Sequence, residues 1–113
     1  MNSEIDERRD RMNEAPHIIR HIVVRGRVHG VGFRAFVEHH AIQRGLAGWV
    51  RNRRDGSVEA VFAGPLATVD AMIEACRSGP RSGRVDALDQ REGTEDDLAA
   101  RAPGDLFSVL GTA

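Results

Sequence analysis

The chain has no lysine, no tyrosine and a single cysteine, and it contains no long apolar run. One cysteine, Cys76, excludes an intrachain disulfide framework. A membrane-spanning helix needs about twenty predominantly apolar residues, and nothing approaches that length. The N-terminal stretch is charged throughout and has no apolar core of signal-peptide type, so the cytoplasm is the expected compartment. Aromatic residues are scarce: one Trp and four Phe. They are not paired on the candidate strands as base-stacking modules require, so no nucleic-acid partner is expected. No Cys/His or His/carboxylate spacing matches a zinc site, and His39-His40 reads as an exposed pair on a helix. No metal or cofactor is expected.

What remains is a chain of 113 residues, 41% hydrophobic, enough for one domain with a modest two-layer core. All sixteen basic residues are Arg, and they are unevenly spread. Residues 20–54 hold eight Arg against one acid, Glu38, whereas residues 55–113 hold five Arg against eleven acids. The first half therefore offers a positive field for an anion, although charges on solvated faces produce the same count. Residues 1–16 are polar, of mixed charge, and read as a disordered leader; residues 17–113 form the domain.

Residues 18–28 alternate as a first strand, with Ile22-Val23-Val24 suited to a central position. Gly26, Gly30 and Gly32 then break it into a loop. Phe33, Phe36, Val37 and Ala41 recur at helical spacing, and Gly45 stops that helix. Residues 46–53 and 57–63 read as two strands joined through the Asp55-Gly56 turn. Residues 65–78 read as a second helix with Leu66, Val69, Met72, Ile73 and Cys76 buried. A weaker strand follows at 84–90, then an acidic loop at 93–105 and a short strand at 106–110. Trp49 and Cys76 read as packing residues, and Arg51, Arg53 and Arg54 flank the hairpin. The order predicts an α+β, ferredoxin-like βαββαβ sandwich, with a mostly antiparallel sheet and two helices on one face. That fold serves many functions and does not specify one.

The segment Gly26-Arg27-Val28-His29-Gly30-Val31-Gly32-Phe33-Arg34 joins a strand to a helix N-terminus. The first N–H groups of a helix have no intrahelical partner and favour negative charge. Closely spaced glycines let neighbouring N–H groups converge into a concave nest. Arg34 adds a planar cation able to meet two phosphate oxygens. A tight turn beside an exposed Arg accounts for the same residues, so the loop alone leaves its ligand open.

Two blocks together resemble the acylphosphatase family. The family carries Gly-x-Val-Gln-Gly-Val-x-Phe-Arg, which stands here as Gly26 to Arg34. It also carries Gly-Trp-Val-x-Asn followed by an Asp-Gly turn and a Val-Glu strand. These stand as Gly48-Trp49-Val50-Arg51-Asn52, Asp55-Gly56 and Val58-Glu59. The similarity runs from about His21 to Leu110. His29 replaces the usual Gln and brings a side chain able to change charge near neutral pH.

The resemblance implies hydrolysis of small acyl phosphates. Arg34 and the loop residues His29, Gly30, Val31, Gly32 and Phe33 hold the phosphoryl group, and Asn52 positions the attacking water. A monomer without membrane or nucleic-acid partners is the corresponding expectation. Two other readings are a polyanion-binding module and an acylphosphatase-like domain serving carbamoyl transfer. The first lacks stacking aromatics, and the second lacks attached zinc-finger cysteines.

Overall fold

The computed structural model describes residues 17–113. The expected leader, residues 1–16, lies outside the described residues. The elements in chain order are β1 (His17–Arg27), α1 (Phe33–Gln43), β2 (Ala47–Asn52), β3 (Val58–Pro65), α2 (Leu66–Ser78), β4 (Arg84–Glu92), α3 (Glu95–Leu98) and β5 (Phe107–Val109). The five strands form one sheet in the order β4-β1-β3-β2-β5. All neighbours are antiparallel except β2 and β5. The first six elements are the ferredoxin-like βαββαβ unit, and β5 extends its β2 edge.

Period-two alternation divides the sheet residues between two faces. Ile22 and Val24 of β1, Val50 of β2, and Val58, Ala60 and Phe62 of β3 turn toward α1 and α2. There they meet Phe33, Val37 and Ala41 from α1 and Val69, Met72, Ile73 and Cys76 from α2. Burial pushes the Cys76 thiol up to about 12, which leaves it a small apolar core group. Leu66 does not join the buried stripe expected of it: it is 49% exposed. It is the first residue of α2, ahead of the turn that settles onto the sheet.

Residues 93–105 are not simply a loop. Thr94 caps α3: its Oγ1 accepts from Asp97 N at 3.1 Å, and Asp97 Oδ2 accepts from Thr94 N at 2.9 Å. Glu95, Asp96 and Asp97 then sit in a first helical turn, where the helix dipole favours acids. This short helix lies against the face opposite α1 and α2. There the indole Nε1 of Trp49 donates to Asp97 O at 2.7 Å. Arg51 stacks over the Trp49 ring and donates from Nε to Glu59 Oε1 at 2.8 Å. His21 Nε2 meets the other oxygen, Oε2, at 2.6 Å. Burial opposes the Glu59 charge, but the bonds from His21 and Arg51 outweigh it and hold the carboxyl below its ordinary value.

Gly48 sets the spacing at the heart of the sheet. Its φ is +147°, and a Cβ there would run into the carbonyl oxygen of Val61 on β3. Strained backbone of this kind costs about 1–3 kcal/mol, and the clash adds to it. Gly48→Ala is therefore expected to destabilise the domain by about 3 kcal/mol or more. Urea denaturation checks this; an unchanged midpoint would show that the strands separate easily here.

Candidate active site

The β1–α1 connection turns on two left-handed glycines, Gly30 (φ 70°) and Gly32 (φ 78°). Gly32 is the N-cap of α1 and has no side chain with which to cap it. Among the described residues, no N–H from Gly30 through Ala35 meets an acceptor; the first that does is Phe36, donating to Gly32 O at 3.0 Å. A chain with left-handed turns at both glycines points successive N–H groups inward, and the helix start adds its partial positive charge.

A cavity of about 450 Å³ opens in front of these groups, within the usual size of a small-molecule site. Gly30, Gly32, Phe33 and Arg34 line one side of it. Asn52 lines it as well. β2 antiparallel to β3, and β3 antiparallel to β1, bring Asn52 level with Val24, both opposite Val58 and a few residues before β1 ends at Arg27. Asn52 shares the parity of Val50, so it faces the helix layer, whereas Arg51 faces the Trp49 side. Residues distant in sequence thus meet because the two strands run toward the same end of the sheet.

Asn52 Oδ1 is buried and has no hydrogen-bond partner among the described residues. Such an acceptor costs about 1–3 kcal/mol and calls for a physical explanation. Here it borders the cavity, where an incoming donor can satisfy it. Arg34 forms no ion pair among the described residues, although Glu38 stands one turn along the helix. Its guanidinium is left available to the cavity.

Two of the loop residues named from the sequence do not line the cavity. His29 turns its ring to the hairpin, where Nε2 donates to Ser57 O at 2.7 Å. That carbonyl also accepts from Arg53 N at 2.9 Å, so one oxygen joins the loop to the β2–β3 turn. Val31 packs against the hydrophobic core, and its carbonyl accepts from Ser82 Oγ at 2.9 Å. Both side chains brace the loop, one on each flank. Val28, Ala35, Glu38 and Val109 also line the cavity and were not singled out from the sequence. Glu38 follows Arg34 by four residues, so helical periodicity carried that signal; Ala35 is only the next residue, and Val109 comes from β5 and had none. Arg51, with its stack on Trp49 and its bond to Glu59, is committed to the opposite face. Among the described residues no group of three or more His, Cys, Asp or Glu is placed to hold a metal ion. No helix there is long and apolar enough to cross a membrane.

Fold and pocket define a ferredoxin-like α+β sandwich with a backbone-lined cavity at its first strand-to-helix junction. Comparison with known proteins makes the assignment narrower. The family model described as acylphosphatase matches residues 20–101. An acylphosphatase of Rhodopseudomonas palustris strain BisB18 is 57% identical over 95 residues, covering 84% of this chain and 96% of that protein. Another, of Bradyrhizobium diazoefficiens, is 54% identical over 91 residues, covering 80% and 92%. The crystal structure of an acylphosphatase from Bacillus subtilis aligns with a TM-score of 0.71 at 37% identity, covering 82% of this chain and 98% of that one. The chain belongs to the acylphosphatase family.

The hairpin that carries Asn52 is held by a titratable turn. Asp55 Oδ1 accepts from Ser57 Oγ and from Ser57 N. These bonds, the hydroxyl's first, bring the Asp55 carboxyl from 3.8 down to about 2. A carboxyl with a lowered folded value is stabilising above its unfolded value and loses that contribution as pH falls through the folded one. Stability is therefore expected to fall between about pH 4 and pH 2. In Asp55→Ala this part of the dependence should flatten, as read by urea midpoints across that range. An equally steep decline in the variant would assign the acid sensitivity to other carboxylates.

Proposed function

We propose that this chain hydrolyses acyl phosphates by direct attack of a water aimed by Asn52, with the phosphoryl group held by Arg34 and the loop amides. Hydrolysis of acyl phosphates is the activity of the family to which the chain belongs. The observation that carries the division of roles is the meeting of Arg34, the loop N–H groups and Asn52 Oδ1 around one cavity, the last two without partners among the described residues.

The phosphoryl oxygens lie in the nest, bridged by the Arg34 guanidinium. Phosphoryl transfer is largely positioning plus electrostatic stabilisation, and these donors supply both. Asn52 Oδ1 accepts one O–H of the water and fixes its direction without itself changing charge. The water oxygen bonds to phosphorus as the bond from phosphorus to the acyl oxygen breaks, and the carboxylate leaves with that electron pair. The water's proton passes to a phosphoryl oxygen. Carboxyl groups have pKa values near about 4, so the leaving group needs no general acid. His29 contributes by holding the loop to Ser57 O rather than by meeting substrate.

Purified protein given benzoyl phosphate without added metal is expected to release phosphate well above the buffer rate. Arg34→Ala should lower kcat/KM by about 10³ or more, and Asn52→Ala should lower kcat by about 10² or more. Because Asn52 Oδ1 is an unsatisfied buried acceptor, Asn52→Ala should be at least as stable as the parent in urea. No hydrolysis by the parent would end the enzymatic reading, and an active Asn52→Ala would remove Asn52 from it.

His29→Gln retains a side-chain N–H able to reach Ser57 O, whereas His29→Ala does not. The first is expected to stay within about threefold of the parent in kcat/KM, and the second to fall about tenfold as the loop loses about 1.4 kcal/mol of support. Equal losses in both would point to a role for the imidazole beyond that bond.

A further inference from the structure

We infer that Glu38 selects among acyl groups, favouring acyl phosphates whose acyl part carries positive charge or N–H donors and disfavouring those with a second carboxylate. This deepens the reading of the cavity as an acyl-phosphate site and rests on it.

Glu38 is the single acid among residues 20–54, where eight Arg are found, and it lines the cavity. An anion pocket gains nothing for phosphate from a carboxylate in its wall. Its position explains how the two coexist. Glu38 follows Arg34 by four residues, so it lies on the same helix face and about 6 Å further along the axis, away from the N–H nest. With the phosphoryl group in the nest, the acyl group reaches toward the far end of the cavity. Ala35, Glu38 and Val109 also line the cavity, the last 43% exposed on β5 beside β2. An in-line displacement also puts the leaving carboxylate opposite the attacking water. With the water at Asn52 on the sheet wall, the acyl group departs toward the helix wall that bears Glu38. The departing acyl group thus meets the Glu38 carboxylate on the helix wall.

The test uses three substrates that differ only in the charge of the acyl group: benzoyl phosphate, 4-carboxybenzoyl phosphate and 4-(trimethylammonio)benzoyl phosphate. For each, the ratio of kcat/KM in Glu38→Gln to that in the parent cancels the substrate's intrinsic reactivity. For the carboxylate substrate this ratio should rise about threefold, and for the ammonium substrate it should fall about three- to fivefold, the range of a partly exposed ion pair at low salt. Glu38→Arg should move both further in the same directions. The same factor for all three substrates in both variants would overturn the inference while leaving the hydrolytic reading intact. If the parent hydrolyses none of the three, both readings fall together.

Discussion

The start of α1 imposes the constraint around which the rest of the domain is arranged. A helix entered through Gly30 and Gly32 leaves its first N–H groups without partners among the described residues, and no side chain there caps them. Such donors are costly if buried dry and useful if they face an anion. The fold keeps them at the rim of a cavity and braces the loop on both flanks. On one side His29 bonds to Ser57 O; on the other, Ser82 Oγ bonds to Val31 O. Neither brace enters the cavity. The donors therefore keep a fixed direction without being consumed, which is the condition for electrostatic preorganisation.

The sheet supplies the opposite wall by register alone. β3 pairs with both β1 and β2, so the ends of β1 and β2 are tied to the same strand. Gly48 allows β2 to close onto Val61 at a distance that a Cβ would forbid. Four residues later Asn52 reaches the cavity, while the alternation of the strand sends Arg51 to the other face. That face has its own polar arrangement, His21 and Arg51 on Glu59, with Trp49 bonded to the backbone of α3. Trp49 is 2% exposed, so it is a packing residue and not a platform for stacking a base.

Much of this was legible from the residues. Alternation marked β1 to β3, three- and four-residue spacing marked α1 and α2, and the glycines marked the loop. Asp55-Gly56 located the hairpin that brings Asn52 round. What escaped had physical reasons. The acids of residues 93–105 suggested a solvated loop, although Thr94 and Asp97 at capping-box spacing were the start of α3. Leu66 fits the apolar stripe by periodicity, but a first-turn residue can project past the sheet. His29 and Val31 belong to the loop expected to hold phosphate through its amides, but their side chains turn to its flanks. Sequence adjacency does not tell a residue that lines a cavity from one that braces its wall. Val109 joins the cavity only through the parallel pairing of β5 with β2, which no local pattern encodes.

Asn52 shows how stability and chemistry divide in so small a domain. A buried carbonyl oxygen without a donor among the described residues is a loss that an apolar side chain would not incur. On the proposed reading the loss is tolerable, because a water held for attack satisfies the same oxygen. Arg34 presents the complementary case: a cation at a helix N-terminus opposes the helix dipole until an anion occupies the site. On that reading each residue is at odds with its surroundings alone and in accord with a bound acyl phosphate. Local violations of this kind mark functional positions more sharply than a catalogue of favourable contacts. Here two such violations, brought together at one edge of the sheet, face the same 450 Å³ of space.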